Sequence, residues 1–198
     1  LTKKRFWFAA STHKEEDIFC LKTHIKLRET FKDLYTIIAP RHIERTQEIE
    51  ALSRRLNLNV QVLNKNESIS GNKEIIIINY FGALQSFYKF AKSVFIGKSM
   101  TKNFISNGGQ NPIEAAKLNC KIYHGPYVYN FAEVYKILEK DKISKQIKSY
   151  MDLYDHLFQD LKQPYKKDNQ IPEPVKSLGQ KTLNDTMELL DAFINDSA

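Results

Sequence analysis

A chain of 198 residues with 42% hydrophobic and 12% aromatic residues carries apolar material for one substantial core, which excludes a string of independent small domains. Lys and Arg number 30 against 23 Asp and Glu, and the resulting +7 favours anionic partners (nucleic acid, anionic lipid or a sugar nucleotide) without choosing among them. Cys20 and Cys120 lie far apart inside apolar segments, which excludes a disulfide framework or thiolate zinc site and fits a reducing compartment. No apolar run reaches the roughly 18 residues of a spanning helix. The start, LTKKRFWFAAS, lacks an initiator methionine and a signal peptide, and is expected to be a cut within a longer protein.

In chain order, aromatic or β-branched runs at 5–10, 34–39, 59–63, 74–79, 93–97 and 121–125 predict strands of a largely parallel sheet. Between them, residues 14–31, 43–56, 84–91, 112–118 and 131–140 have helical spacing; Ile18, Leu21, Ile25 and Leu27 share one face. This βα succession predicts an α/β fold, a Rossmann-like parallel sheet flanked by helices, with ligands beyond the carboxyl ends of the strands. Thr12-His13-Lys14-Glu15 has the form of a capping box for the first helix. After residue 141 the pattern turns helical and lysine-rich: a helix at 149–161, a proline-bearing connection at 162–176 and an amphipathic helix at 180–195. We divide the chain into a nucleotide-sugar-binding domain at 1–140 and a mostly helical extension of it at 141–198.

Three strand-end loops carry the candidate chemistry. Gly108 and Gly109 stand where backbone must approach something closely, followed by Asn111 at a helix N-cap and Pro112 at the first helical position. The free amides and positive end of that helix suit a phosphate, and Glu114 is placed to accept hydrogen bonds from paired ribose hydroxyls. Asn-x-x-Glu is equally a cap in which Glu114 returns to the Asn111 amide, and both readings stand. In IIAPRHIER, Pro40 and Arg41 form the turn after the second strand, where a guanidinium can fork onto phosphate or remain a solvated charge. His13 and His42 read as capping or hydrogen-bonding residues, since no carboxylate or cysteine stands at ligand spacing from either. INYFGAL, 78–84, supplies a third turn at the same edge.

Taken together, WFAASTH (7–13), IIAPRH (37–42), FIGKS (95–99), GGQNPIEAA (108–116) and HGPYVYNFAEV (124–134) resemble the carboxyl-terminal half of 3-deoxy-D-manno-octulosonic acid (Kdo) transferases. The resemblance implies the C-terminal half of a two-domain GT-B glycosyltransferase. Members transfer Kdo from CMP-Kdo to the lipid A precursor, lipid IVA, at the cytoplasmic face of the Gram-negative inner membrane in lipopolysaccharide biosynthesis. By motif, the implied CMP contacts are Pro40, Arg41, Phe81, Gly82, Ala83, Asn111, Pro112, Ile113 and Glu114. Weaker donor-site candidates are Ser11, Thr12, Gly108, Gly109 and Asn130.

The chain departs from the family pattern at Lys14, Asn79, Ala83, Lys98 and Gln110, and Ala83 leaves only backbone contacts at its turn. The resemblance places the catalytic base, the acceptor site and the membrane anchor in an amino-terminal half outside this chain. No catalytic residue, cofactor or metal is therefore expected here, and the fragment alone is expected to be inactive. In the whole enzyme an inverting displacement with CMP as leaving group is implied, its phosphate charge stabilised by Arg41 and the helix terminus. One alternative keeps the fold with a UDP-sugar, as in another GT-B glycosyltransferase or a sugar-nucleotide epimerase. Another is a non-enzymatic nucleic-acid binder, suggested by +7 and by YHGPYVYNFAEVYK. Because the basic residues are spread over helical faces, no nucleic-acid partner is expected.

Overall fold

The computed structural model describes residues 5–163 and 170–177. The amphipathic stretch at 180–195 lies outside the described residues.

Seven parallel strands form one sheet: β1 (Phe6–Thr12), β2 (Tyr35–Pro40), β3 (Val60–Leu63), β4 (Ile75–Ile78), β5 (Ser93–Ile96), β6 (Lys121–His124) and β7 (Ser144–Gln146), in the order β3-β4-β2-β1-β5-β6-β7. The first six fall on the predicted runs. Their near-continuous apolar character follows from burial on both faces. Phe6, Phe8 and Ala10 of β1 join one core with Ile37, Ile76, Val94 and Ile122, whereas Trp7 and Ala9 join the other with Ile38, Ile77 and Phe95.

Helices cover both faces. The first core is closed by α3 (Leu84–Tyr88), α4 (Ile113–Lys117) and α5 (Ala132–Lys140) through Phe87, Tyr88, Ala115, Tyr135 and Leu138. The second is closed by α1 (Glu16–Arg28), α2 (Thr46–Arg55) and α6 (Tyr150–Lys162) through Cys20, Leu21, Ile49, Leu153 and Leu157. The helix expected at 149–161 is α6, which packs beside α1. Its buried Asp160 accepts hydrogen bonds from the Ser93 and Tyr123 hydroxyls, 2.7 Å each, and from Lys121 Nζ at 2.6 Å.

The sequence reading does not anticipate β7. Ser144-Lys145-Gln146 has one buried residue and two exposed, so neither apolar run nor alternation marks it, yet it pairs along β6 and extends the sheet past residue 140.

Candidate functional site

The chain leaves β1 toward β2 on one side of the sheet and later returns to place β5 on the other side of β1. The loops after β1 and β5 run to helices on opposite faces, α1 and α4. Between their carboxyl ends lies the crevice of a topological switch point.

A buried carboxylate ties this crevice together. Glu16 Oε2 accepts from the His13 amide at 2.9 Å and the Lys98 amide at 2.7 Å; Oε1 accepts from Ser99 at 2.8 Å and Met100 at 3.0 Å. Burial raises its pKa, with the four amides pulling against that rise. The expected box of Thr12 with Glu15 is thus displaced by one residue. Thr12 belongs to β1, its hydroxyl donates to Asp17 Oδ1 at 2.9 Å, and it is Glu16 that returns to the His13 amide. Glu15 adopts φ 74 before α1, with no side-chain cap.

Around the β1 and β2 ends gather His13, Arg41, His42, Arg45 and Lys98. Burial and the positive charges of His42, Lys98, Arg45 and Arg41 hold the His13 pKa down at about 4. The His13 ring meets His42 and Phe104 edge-on, with centroids 5.5 and 5.2 Å away, and its Nε2 is shielded from solvent with no hydrogen-bond partner among the described residues. Arg45 pairs with Asp17 and, at 3.4 Å, with Glu48. Arg41 donates its amide to the Thr12 carbonyl at 3.0 Å while its side chain is exposed, and Pro40 ends the buried strand β2. Ser11, with φ 55, marks the irregular register by which β1 bends into this loop.

After β4, Phe81 is 72% exposed, Gly82 turns the chain with φ 81, and Ala83 is buried at the start of α3. This leaves Phe81 and the turn backbone, and not Ala83, facing outward.

The paired glycines approach the protein itself. A Cβ on Gly108 would collide with the Tyr127 carbonyl oxygen and lie 2.6 Å from that of Phe104; Gly109 has φ 91 and donates to the Lys98 carbonyl at 2.7 Å. Asn130 clasps the same loop: its amide donates to the Gly108 carbonyl at 2.9 Å and its Nδ2 to the Asn107 carbonyl at 2.9 Å. Thr12, Gly108, Gly109 and Asn130 thus make contacts within the protein that hold the loops at this end of the sheet. Asn111 caps as expected, its Oδ1 accepting from the Ile113 amide at 2.9 Å. Pro112 is buried and Ile113 half-buried. Glu114 is exposed, and among the described residues no hydrogen bond carries its carboxylate back to the Asn111 amide, so the reciprocal cap does not form. Helix α4 spans only five residues, too short for the substantial dipole expected of it.

Sequence reasoning missed Glu16, Asp17 and Lys98. The adjacent acids Glu15-Glu16-Asp17 were visible, but which of them turns inward was not.

A cavity of about 150 Å³ lies at the opposite, amino-terminal edge of the sheet, lined by Arg28, Asn59, Gly71 and Glu74 among others. Its Glu74 is already engaged by Arg28, His24 and the Asn59 amide. Among the described residues no three His, Cys, Asp or Glu side chains gather to hold a metal ion.

The fold is that of the C-terminal domain of GT-B glycosyltransferases. It superimposes on the C-terminal CMP-Kdo binding domain of WaaA from Acinetobacter baumannii with TM-score 0.73 at 22% identity, covering 88% of this chain and 85% of that one. The C-terminal domain of the group 1 glycosyltransferase LpcC from Francisella tularensis gives TM-score 0.52 at 14% identity, over 81% and 76% of the two chains. No protein-family model matches the chain.

The chain is a homologue of 3-deoxy-D-manno-octulosonic acid transferases. It is 30% identical to that of Haemophilus influenzae over 132 residues, covering 67% of this chain and 30% of the relative. The Rickettsia conorii enzyme is 31% identical over 157 residues, 79% and 33% of the two, and that of Aquifex aeolicus 26% over 155 residues, 78% and 41%. The chain thus spans about a third of the length of the curated relatives it matches.

Proposed function

We propose that this chain is the donor-binding domain of an inverting Kdo transferase, holding CMP-Kdo while Kdo passes to the lipid A precursor. The observation that carries this reading is the location of Arg41 and Glu114. Both are exposed, Arg41 in the turn after β2 and Glu114 in the first turn of α4, in a chain homologous to Kdo transferases and folded like a CMP-Kdo binding domain. Arg41 takes the CMP phosphate and Glu114 the ribose hydroxyls; Phe81, the Gly82 turn and the Asn111-Pro112-Ile113 segment line the nucleotide's path. As CMP departs, Arg41 stabilises the charge on its phosphate.

The catalytic base, acceptor site and membrane anchor are assigned to an amino-terminal half, and the assembled enzyme works at the cytoplasmic face of the inner membrane. Among the described residues no helix is long and apolar enough to cross a membrane.

Calorimetric titration with CMP, UMP and cytidine tests the reading. CMP should bind more tightly than UMP. Glu114→Gln should weaken CMP about tenfold or more, the worth of one charge-assisted hydrogen bond, with little change in melting temperature. Arg41→Ala should weaken CMP but leave cytidine unaffected. A Glu114→Gln protein that binds CMP like the parent places the ribose elsewhere.

A further inference from the structure

Lys98 is in a conformation that an L side chain rarely adopts, with φ 59, directly after β5 at the switch point. Both of its backbone groups are held there: its amide donates to buried Glu16 at 2.7 Å, and its carbonyl accepts from Gly109 at 2.7 Å. Glycine would meet this backbone demand without a Cβ, so the lysine side chain is what the strain retains.

That side chain is half-buried, and among the described residues no acid pairs with it. Its charge acts on His13 together with those of His42, Arg45 and Arg41. Asp17 and Glu48 answer Arg45, and Glu44 stands 3.7 Å from His42. Among the described residues neither Lys98 nor Arg41 has an acidic partner, and both stand near enough to His13 for their charges to act on it. Like charges gathered without counter-charge repel, and an anion between them relieves that repulsion.

We propose that Lys98 is a donor-binding residue: with Arg41 it forms a two-cation site for an anionic group of the sugar nucleotide. The inference rests on the nucleotide-sugar reading above. A CMP-linked sugar acid offers two such groups, the phosphate and the sugar carboxylate, and the same ammonium chemistry suits either.

The experiment compares the parent chain with Lys98→Met, Lys98→Arg and Lys98→Gly by calorimetry and thermal melting. The probes are cytidine, CMP, CMP-N-acetylneuraminate as a stable CMP-linked sugar acid, and inorganic pyrophosphate as a nucleotide-free anion. Lys98→Met should weaken CMP about tenfold and leave cytidine unchanged, and Lys98→Arg should restore most of the loss. Lys98→Gly should bind as weakly as Lys98→Met yet melt about 2–4 °C higher as the backbone strain is released, a pairing that a purely structural lysine does not produce. A loss confined to the CMP-linked acid, with CMP unaffected, assigns Lys98 to the carboxylate. If the parent binds pyrophosphate through Lys98 but no cytidine ligand, the nucleotide reading fails and the anion site stands. If Lys98→Met binds every probe like the parent, or the parent binds none, the proposal is overturned.

Discussion

Replacing Glu16 by glutamine exchanges one buried carboxylate oxygen for an NH2 group while keeping shape. Each oxygen of Glu16 accepts two backbone amides, so whichever way the new amide turns, one pair of donors faces another donor: His13 with Lys98, or Ser99 with Met100. Leaving a buried donor unsatisfied costs about 1–3 kcal/mol, hence about 2–6 kcal/mol for two. Burial disfavours the native carboxylate, as its raised pKa shows, so removing the charge recovers part of this, and we expect a net loss of about 3 kcal/mol. For a chain of this size that is a fall of about 6–12 °C in melting temperature. Because the same amides hold the 98–100 loop, CMP affinity should fall as well, and Glu16→Asp, too short to reach both loops, should not rescue it. Urea denaturation with calorimetry checks both. A Glu16→Gln protein within about 1 kcal/mol of the parent would show that the carboxylate does not hold the β1 and β5 loops together, and the reasoning would fail.

Asp160→Ala should cost about 2–6 kcal/mol in urea denaturation, because it strips the buried Ser93 and Tyr123 hydroxyls of their shared acceptor where α6 meets β5 and β6, while the exposed Lys121 ammonium turns to water. Gly108→Ala should cost about 2 kcal/mol or more by driving a methyl into the Phe104 and Tyr127 carbonyls, measurable as a lower melting temperature. His24 is buried against Thr36 Oγ1 at 2.8 Å, and burial and Arg28 hold its pKa at about 3. Below about pH 6.5 the unfolded chain binds a proton that the native histidine refuses, so this contribution to stability is complete above pH 6.5 and is lost as pH falls toward 3. The slope approaches about 1.4 kcal/mol per pH unit. Denaturation at pH 7 and pH 5 should show the parent losing more than His24→Gln. Equal losses would refute the assignment, and the comparison cancels the opposite contributions of Glu16 and Asp17, whose pKa values burial raises.

Local pattern by itself determined most of the fold. Runs such as IIII at Ile75–Ile78 and FWFAAST at Phe6–Thr12 can only be strands buried on both faces, and the helical stretches between them force parallel crossovers. The places of Arg41 and of the Gly82 turn were legible for a related reason: residues directly after a strand lie at its carboxyl end. Tertiary structure alone decided what depends on residues far apart in sequence. The glycine pair serves the loop's own packing against Phe104 and Tyr127, which no local pattern states. Strand β7 forms because β6 offers an edge, not because Ser-Lys-Gln favours extension. The identity of Glu16 as the buried acid rests on amides 82 to 84 residues away. Their approach is set by the order of β1 and β5 in the sheet, and that order is a property of the assembled core that neither segment carries alone.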